Sequence, residues 1–281
     1  MKSMHNKVIV IAGGSGGVGS SVCKKLLSLN AKVIGISRTE NVRLKSFAEN
    51  NNKEYNWILS DLTSKSGWKD SLNQIKNKFG KIDVLINCVG ILIPGKVEYL
   101  KYEQIEQIIS VNFTSFAFAS KAVIPLMKER GYGHIINLGS LGGIVPMPYE
   151  SIYCATKFAL RGFTLSLKKE LAGTGIRVTL ISPGPVLTRM LGTESSDQNS
   201  TTAFVNHPLQ PDLVSEKIIK TILHPKAELV LPPGLKTFSL LINLFPQLFN
   251  LIFPVLNFIG KKRREKLLRY FNLKKDSLYG N

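Results

Sequence analysis

Val8-Ile9-Val10-Ile11-Ala12-Gly13-Gly14-Ser15-Gly16-Gly17-Val18-Gly19 joins an apolar run directly to a glycine-rich turn. Five apolar residues without alternation describe a short strand covered on both faces. The glycines that follow let the backbone turn sharply and come close to a diphosphate, which then rests on the N-terminus of the next helix. A glycine-rich turn alone is a weak signal, because such turns are common. Here it sits between a strand and the helix-length segment 19–29, at the head of the chain, which gives it weight. Gly13, Ser15, Gly17, Val18 and Gly19 are its candidate cofactor contacts.

Working outward, the next apolar run, Val33–Ser37, ends in Ser37-Arg38-Thr39. An NAD site would carry an acid at that point, to bind the ribose hydroxyls. A guanidinium suits a 2′-phosphate instead, so Ser37, Arg38 and Thr39 point to NADP(H); the other reading of Arg38 is an ordinary surface arginine. Further strand-like runs lie at Trp57–Ser60, Val84–Asn87, His134–Leu138 and Val178–Ser182. Helix-length segments such as 102–130 and 152–172 separate them. Alternation of this kind predicts an α/β fold, a Rossmann-type doubly wound parallel sheet in a single domain over residues 1–235. Residues 236–281 form an apolar, then basic, C-terminal extension. Within the domain, residues 188–211 read as a lid whose polar part, Thr193–Thr202, is expected to be an unstructured, mobile loop. A helix capped by Asp212 and a strand Glu228–Leu231 follow, ended by Pro232-Pro233-Gly234.

Tyr153-Cys154-Ala155-Thr156-Lys157 places Tyr153 and Lys157 on one face of a helix. An ammonium beside a phenol favours phenolate and is expected to lower its pKa from about 10. Ser140 follows a strand, at the sheet edge where such folds bind ligands. Taken singly, each is a common pattern. Taken with the glycine loop, the set resembles the short-chain dehydrogenase/reductase family. The family's loop is matched by Ala12–Gly19, with Ala12 in place of threonine. Its adenine-side acid is matched by Asp61, followed by Leu62, and its Asn-Asn-Ala-Gly stretch more loosely by Asn87-Cys88-Val89-Gly90. The helix asparagine is Asn112, the serine Ser140, the Tyr–Lys pair Tyr153 and Lys157. Pro183-Gly184 follows the sixth strand, with Val186 and Thr188 behind it. These matches run over residues 7–190 in the family's order.

The resemblance implies that Tyr153 is the acid/base and that Lys157 depresses its pKa and binds the nicotinamide ribose. It implies that Ser140 polarises the substrate oxygen, and that Asn112 holds a water linking Lys157 to solvent. Asp61, Leu62, Asn87, Gly90 and 181–188 would line the cofactor, with Thr188 near the carboxamide, and no metal would take part. It also implies a homo-oligomer. Cys154, turned away from the Tyr–Lys face, reads as structural.

The three cysteines, Cys23, Cys88 and Cys154, are far apart and form no metal-binding spacing, so they read as reduced thiols. Residues 1–12 lack the pattern of a signal peptide, which predicts a cytoplasmic, folded N-terminus. The net charge of +18 has a concentrated part: residues 261–281 carry eight Lys/Arg against Glu265 and Asp276. No nucleic-acid-binding motif accompanies it. Just before it, 238–260 runs 23 residues without a charge, broken by Pro246 and Pro254 and by four amides. It is expected to divide at the prolines into 238–245, 247–253 and 255–259. Three readings compete: a transmembrane helix, a kinked segment lying in a membrane interface over 238–270, or helices packed on the substrate pocket or a second subunit. The interfacial reading is preferred, because Lys261–Arg264 on anionic headgroups would explain the charge and the apolar run by one cause.

The function expected is therefore an NADP(H)-dependent oxidoreductase interconverting a carbonyl and an alcohol, on a hydrophobic, lipid-like substrate and in the reductive direction. A soluble reductase of a 3-oxoacyl thioester or small ketone is the alternative. A non-catalytic redox reporter is disfavoured, since it would have no need of Asn112, Ser140, Tyr153 and Lys157 together.

Overall fold

The computed structural model describes residues 4–273; Lys274, Lys275 and Asp276 of the basic segment lie outside the described residues. Its elements run β1 (Val8–Ala12), α1 (Gly17–Ser28), β2 (Lys32–Ser37), α2 (Val42–Asn50), β3 (Tyr55–Leu59), α3 (Lys65–Phe79), β4 (Val84–Asn87), α4 (Tyr102–Ile109) and α5 (Ser115–Glu129). There follow β5 (Gly133–Leu138), α6 (Ser151–Glu170), β6 (Ile176–Pro183), α7 (Arg189–Ser196), α8 (Pro211–Leu223), β7 (Glu228–Leu231), α9 (Leu235–Leu244) and α10 (Pro246–Leu273). All seven strands are parallel, in the order β3-β2-β1-β4-β5-β6-β7. The chain reverses its direction of winding between β1 and β4, so the crevice beyond their carboxyl ends is where a Rossmann-type sheet takes its ligand.

The reason for unbroken apolar runs is visible in β1. Ile9 and Ile11 enter a core shared with α1 and α8, through Val22, Leu26, Val214 and Ile218. Val8, Val10 and Ala12 enter the opposite core, with Trp68 and Ile75 of α3 and Val123 and Met127 of α5. Side chains alternate sides along a strand, and both sides are covered here. The expected cap of α8 differs. Pro211 opens that helix after Gln210, and Asp212 lies inside the first turn, where it accepts a 2.6 Å hydrogen bond from Ser21 Oγ on α1.

Between α4 and α5, residues Ser110–Thr114 form a π-helical segment, so Tyr102–Glu129 is one helix with an extra residue in the turn that carries Asn112. Among the described residues this is also the one helix long and apolar enough to cross a bilayer, and α5 lies against the sheet.

The lid is more ordered than its polar sequence suggests. Residues 193–202 contribute the end of α7 and the start of a 3-10 turn (Thr202–Phe204), and Glu194, Ser195, Ser200 and Thr201 are buried. The reason lies in the C-terminal extension. No single helix covers 238–260: the chain breaks at Phe245, while Pro254 is accommodated inside α10. One face of α10 then clamps the lid. Arg264 Nε donates to Ser195 O at 2.9 Å, Arg263 Nη1 donates to Val205 O, and Thr201 Oγ1 donates to Asn257 Oδ1 at 2.6 Å. Leu267 packs on Leu191, Ala203 and Phe204, and a Cβ on Gly260 would overlap the Thr201 carbonyl. Thus Arg263 and Arg264, expected on headgroups, are turned inward onto backbone carbonyls. Leu251, Val255 and Phe258, spaced to share a face of the helix, remain exposed, with Phe258 at 70%.

Candidate active site

The glycine loop is built by close contacts. Gly13 has φ +81°, and a side chain there would press on Cys88 and Val89 of the neighbouring strand end. A Cβ on Gly19 would overlap the Gly13 carbonyl, and one on Gly17 would come within 2.6 Å of Thr188 Cγ2. The helix α1 opens at Gly16–Gly17 with no side-chain cap and no acid in its first turn, so its first N–H groups face the crevice as an anion site. Gly19→Ala must force this turn open: we expect a loss of about 2 kcal/mol, a melting temperature lower by about 4–8 °C and at least tenfold weaker dinucleotide binding, read by thermal denaturation and cofactor titration.

Ser15 Oγ lies 2.8 Å from Ser37 Oγ, tying the loop to the end of β2, and Ser37 Oγ donates to Thr39 O. Arg38 is exposed beside this junction. Asp61 is held below the usual carboxylate range by the Thr63 backbone N–H and hydroxyl, and further by the Arg38 charge. Leu62 is buried in the core and can offer only its backbone. Asn87 is buried as well, its amide donating to Asn137 Oδ1 at 2.8 Å. These residues stand apart from the cavity that holds Ser140, Tyr153 and Lys157.

That cavity, about 420 Å³, is lined by Gly17, Val18, Gly90, Ser140, Tyr153, Lys157, Pro183, Gly184, Val186 and Thr188, all singled out in the sequence. A wider groove of about 790 Å³ between the Tyr149 loop and α10 contains neither Ser140 nor Tyr153. Ser140 Oγ accepts from Gly142 N at 3.0 Å, which fixes it at the end of β5. Lys157 Nζ donates to Leu138 O at 3.3 Å and sits 5.7 Å from the Tyr153 ring centre. Asn112 bonds both Ile91 N and Ile91 O at 2.8 Å, so the π-helical turn holds the loop after β4 in place. Cys154 accepts from Met147 N at 3.4 Å in a small apolar cluster, away from the lysine.

The electrostatics depart from expectation at Tyr153. Its phenol is raised, not lowered: burial dominates, the Ser140 hydroxyl acts against it, and the charges of Glu194 and Glu150 add to it. Lys157 feels the same burial, which pushes its ammonium down to about 8. Burial also pushes the Cys88 thiol up to about 12. At neutral pH the site therefore holds a protonated phenol beside a lysine that gives up its charge easily.

Sequence reasoning missed Glu150 and Glu194, which both line the cavity and are 2% and 6% exposed. Burial raises both carboxyls, and the Glu150 charge raises Glu194 further. Glu150 could have been found, since it precedes Tyr153 by one helical turn; Glu194, inside a polar run, gave no signal.

A crevice at the switch point of a parallel sheet, a glycine loop on a helix N-terminus and a Ser–Tyr–Lys set define an oxidoreductase that uses a nicotinamide dinucleotide. A sequence profile of the short chain dehydrogenases matches residues 7–199. The chain belongs to the short-chain dehydrogenase/reductase family. It is 36% identical over 224 residues to an oxidoreductase of Staphylococcus epidermidis, covering 76% of this chain and 96% of that one. It is 34% identical over 197 residues to the 3-oxoacyl-(acyl-carrier-protein) reductase of Haemophilus influenzae, covering 70% of this chain and 81% of the relative. The crystal structure of gox2181 superposes with a TM-score of 0.75 at 21% identity, over 81% of this chain and 94% of the other.

Proposed function

We propose that the protein is an NADP(H)-dependent reductase of hydrophobic, lipid-like ketones or aldehydes that works at a membrane surface. The observation that carries this reading is the apolar cavity around Ser140 and Tyr153, roofed by a lid that α10 clamps while its opposite face stays apolar and exposed. Gly13, Gly17 and Gly19 let the loop pack tightly against Cys88, Thr188 and its own backbone, and the uncapped start of α1 supplies N–H groups for a diphosphate. Ser37, Arg38 and Thr39 would bind a 2′-phosphate, with Asp61 and Leu62 on the adenine side. Asn87, Gly90, Pro183, Gly184, Val186 and Thr188 would border the nicotinamide end. When bound, the reduced nicotinamide supplies the hydride.

This chain's own groups handle the proton. The Ser140 hydroxyl donates to the substrate oxygen and orients the carbonyl. Tyr153, protonated at working pH, delivers its proton to that oxygen as negative charge develops there. Lys157 stabilises the phenolate left behind, and Asn112 supports the route by which a proton returns. On the exposed faces of α9 and α10, Phe238, Leu244, Leu251 and Phe258 would enter an anionic lipid surface, with Lys261, Lys262 and Lys266 on its headgroups.

The second reading, reduction of a 3-oxoacyl thioester, draws on the name of the Haemophilus influenzae relative. The deciding experiment follows cofactor oxidation in mild detergent over ketones and aldehydes of increasing chain length. We expect activity to rise with chain length, and NADPH to be preferred over NADH by tenfold or more. Arg38→Ala should abolish that preference, through loss of a charge-assisted contact of about 1.5–3 kcal/mol. Activity confined to short polar ketones or acyl thioesters would sink the lipid reading and leave the thioester reading standing.

A further inference from the structure

In the cavity beside Tyr153, whose lining also includes Ser140, Lys157 and Arg189, Glu150 from the start of α6 meets Glu194 from α7. Glu150 Oε1 accepts from Ser200 Oγ. Its other oxygen, Oε2, is buried without a hydrogen-bond partner. Among the described residues, neither carboxyl forms an ion pair with a Lys, Arg or His. Of the titratable groups that act electrostatically with them, Asp197, Tyr153 and Cys154, none is a cation; Arg189 lines the same cavity and makes an interaction of its own. A second orphan lies in the same cavity: Thr202 Oγ1 is buried without a partner. Buried polar atoms are nearly always satisfied, so two such atoms in one cavity, Glu150 Oε2 and Thr202 Oγ1, mark the place of a ligand group.

The chemistry of that group follows from the inventory. The two carboxyls offer four acceptor oxygens, and Thr202 adds another. A hydroxyl brings one donor and no charge. A primary ammonium brings three donors and a charge that offsets an ionised carboxyl inside the protein. We propose that Glu150, Glu194 and Thr202 form a subsite for a protonated primary amine that the substrate carries near its carbonyl, so that the enzyme takes amino ketones in preference to plain ketones. Glu150 precedes Tyr153 by three residues, about 5 Å along the helix, so the amine would lie within a few bonds of the carbonyl carbon. This inference rests on reading the cavity as the site of carbonyl reduction.

The test separates binding from turnover. Octylamine and octanol are titrated into the full-length protein by calorimetry, below their aggregation concentrations. We expect the amine to bind at least tenfold tighter, against the repulsion of a chain of net charge +18, and Glu194→Gln to remove the difference. Equal binding of amine and alcohol by the unsubstituted protein overturns the proposal, whatever the variant does. In parallel, a long-chain α-amino ketone and its counterpart without the amine are offered with NADPH, and a tenfold or greater preference for the amino ketone is expected. Turnover of ketones with equal amine and alcohol binding would sink this subsite and leave the reductase reading. Selective amine binding with no turnover of any carbonyl would sink the reductase reading and leave the subsite.

Discussion

Tyr153→Phe is expected to lower kcat about a thousandfold while changing cofactor affinity by less than threefold. The ring is held by Leu92, Met147 and Met190 in a small apolar cluster, and phenylalanine keeps those contacts. What disappears is one hydroxyl, and with it the proton that must reach the substrate oxygen; positioned acid–base groups contribute roughly 10²–10⁴-fold. Because burial keeps the phenol protonated, the loss should be greatest in the direction that consumes a carbonyl. Single-turnover kinetics and cofactor titration on the same preparation check the split. A variant that turns over normally would remove Tyr153 from the chemistry, and one that no longer binds cofactor would make it a binding residue instead.

Lys157→Met should pair a large loss of turnover, at least a hundredfold, with a gain in stability. The lysine is 4% exposed, and burial lowers its pKa from 10.5 to about 8. The unfolded chain holds that proton between pH 8 and 10.5 while the folded chain does not, so this group's contribution to stability rises with pH across that window. Below pH 8 the buried ammonium costs about 3 kcal/mol. Methionine removes the cost but forfeits the bond to Leu138 O, worth about 1 kcal/mol. The melting temperature should therefore rise by about 4–8 °C at pH 7, and the gain should shrink as pH approaches 10. In the unsubstituted protein, carbonyl reduction should decline above pH 8 as the ammonium deprotonates. A fall in melting temperature at pH 7 would mean the ammonium stabilises the fold on balance. Such a conflict between activity and stability is common in active sites.

How much of this could be read from residue order differs by element. β1 and β4 have the bounds their apolar runs predict, because strands covered on both faces need no partner to explain their composition. Tyr153 and Lys157 were legible because a fixed helical period joins them. The phenol's raised pKa was not: pair spacing reports a neighbouring charge, while burial, set by the whole fold, outweighs it. The π-helical turn at Asn112 has no compositional signature. Helix α7 was hidden because its residues favour loops in isolation and are ordered by α10, more than fifty positions away. Arg263 and Arg264 were misread for the same reason, since their partners are backbone carbonyls that any sequence would supply.

The clamp that α10 places on the lid has a consequence for anyone reshaping this protein. The tail looks like a detachable appendage, the sort of segment removed to improve solubility or exchanged between relatives to alter targeting. Here, shortening it would withdraw the roof of the cavity around Tyr153, since Arg263 and Arg264 hold the backbone carbonyls of Val205 and Ser195 and Asn257 accepts from the Thr201 hydroxyl. A graft would therefore have to carry residues 187–206 and the final helix together, as one cassette taken from a single parent. Selection faces the same linkage: a substitution on the inner face of α10 that retunes how the protein sits on its surroundings also redraws what fits above Tyr153.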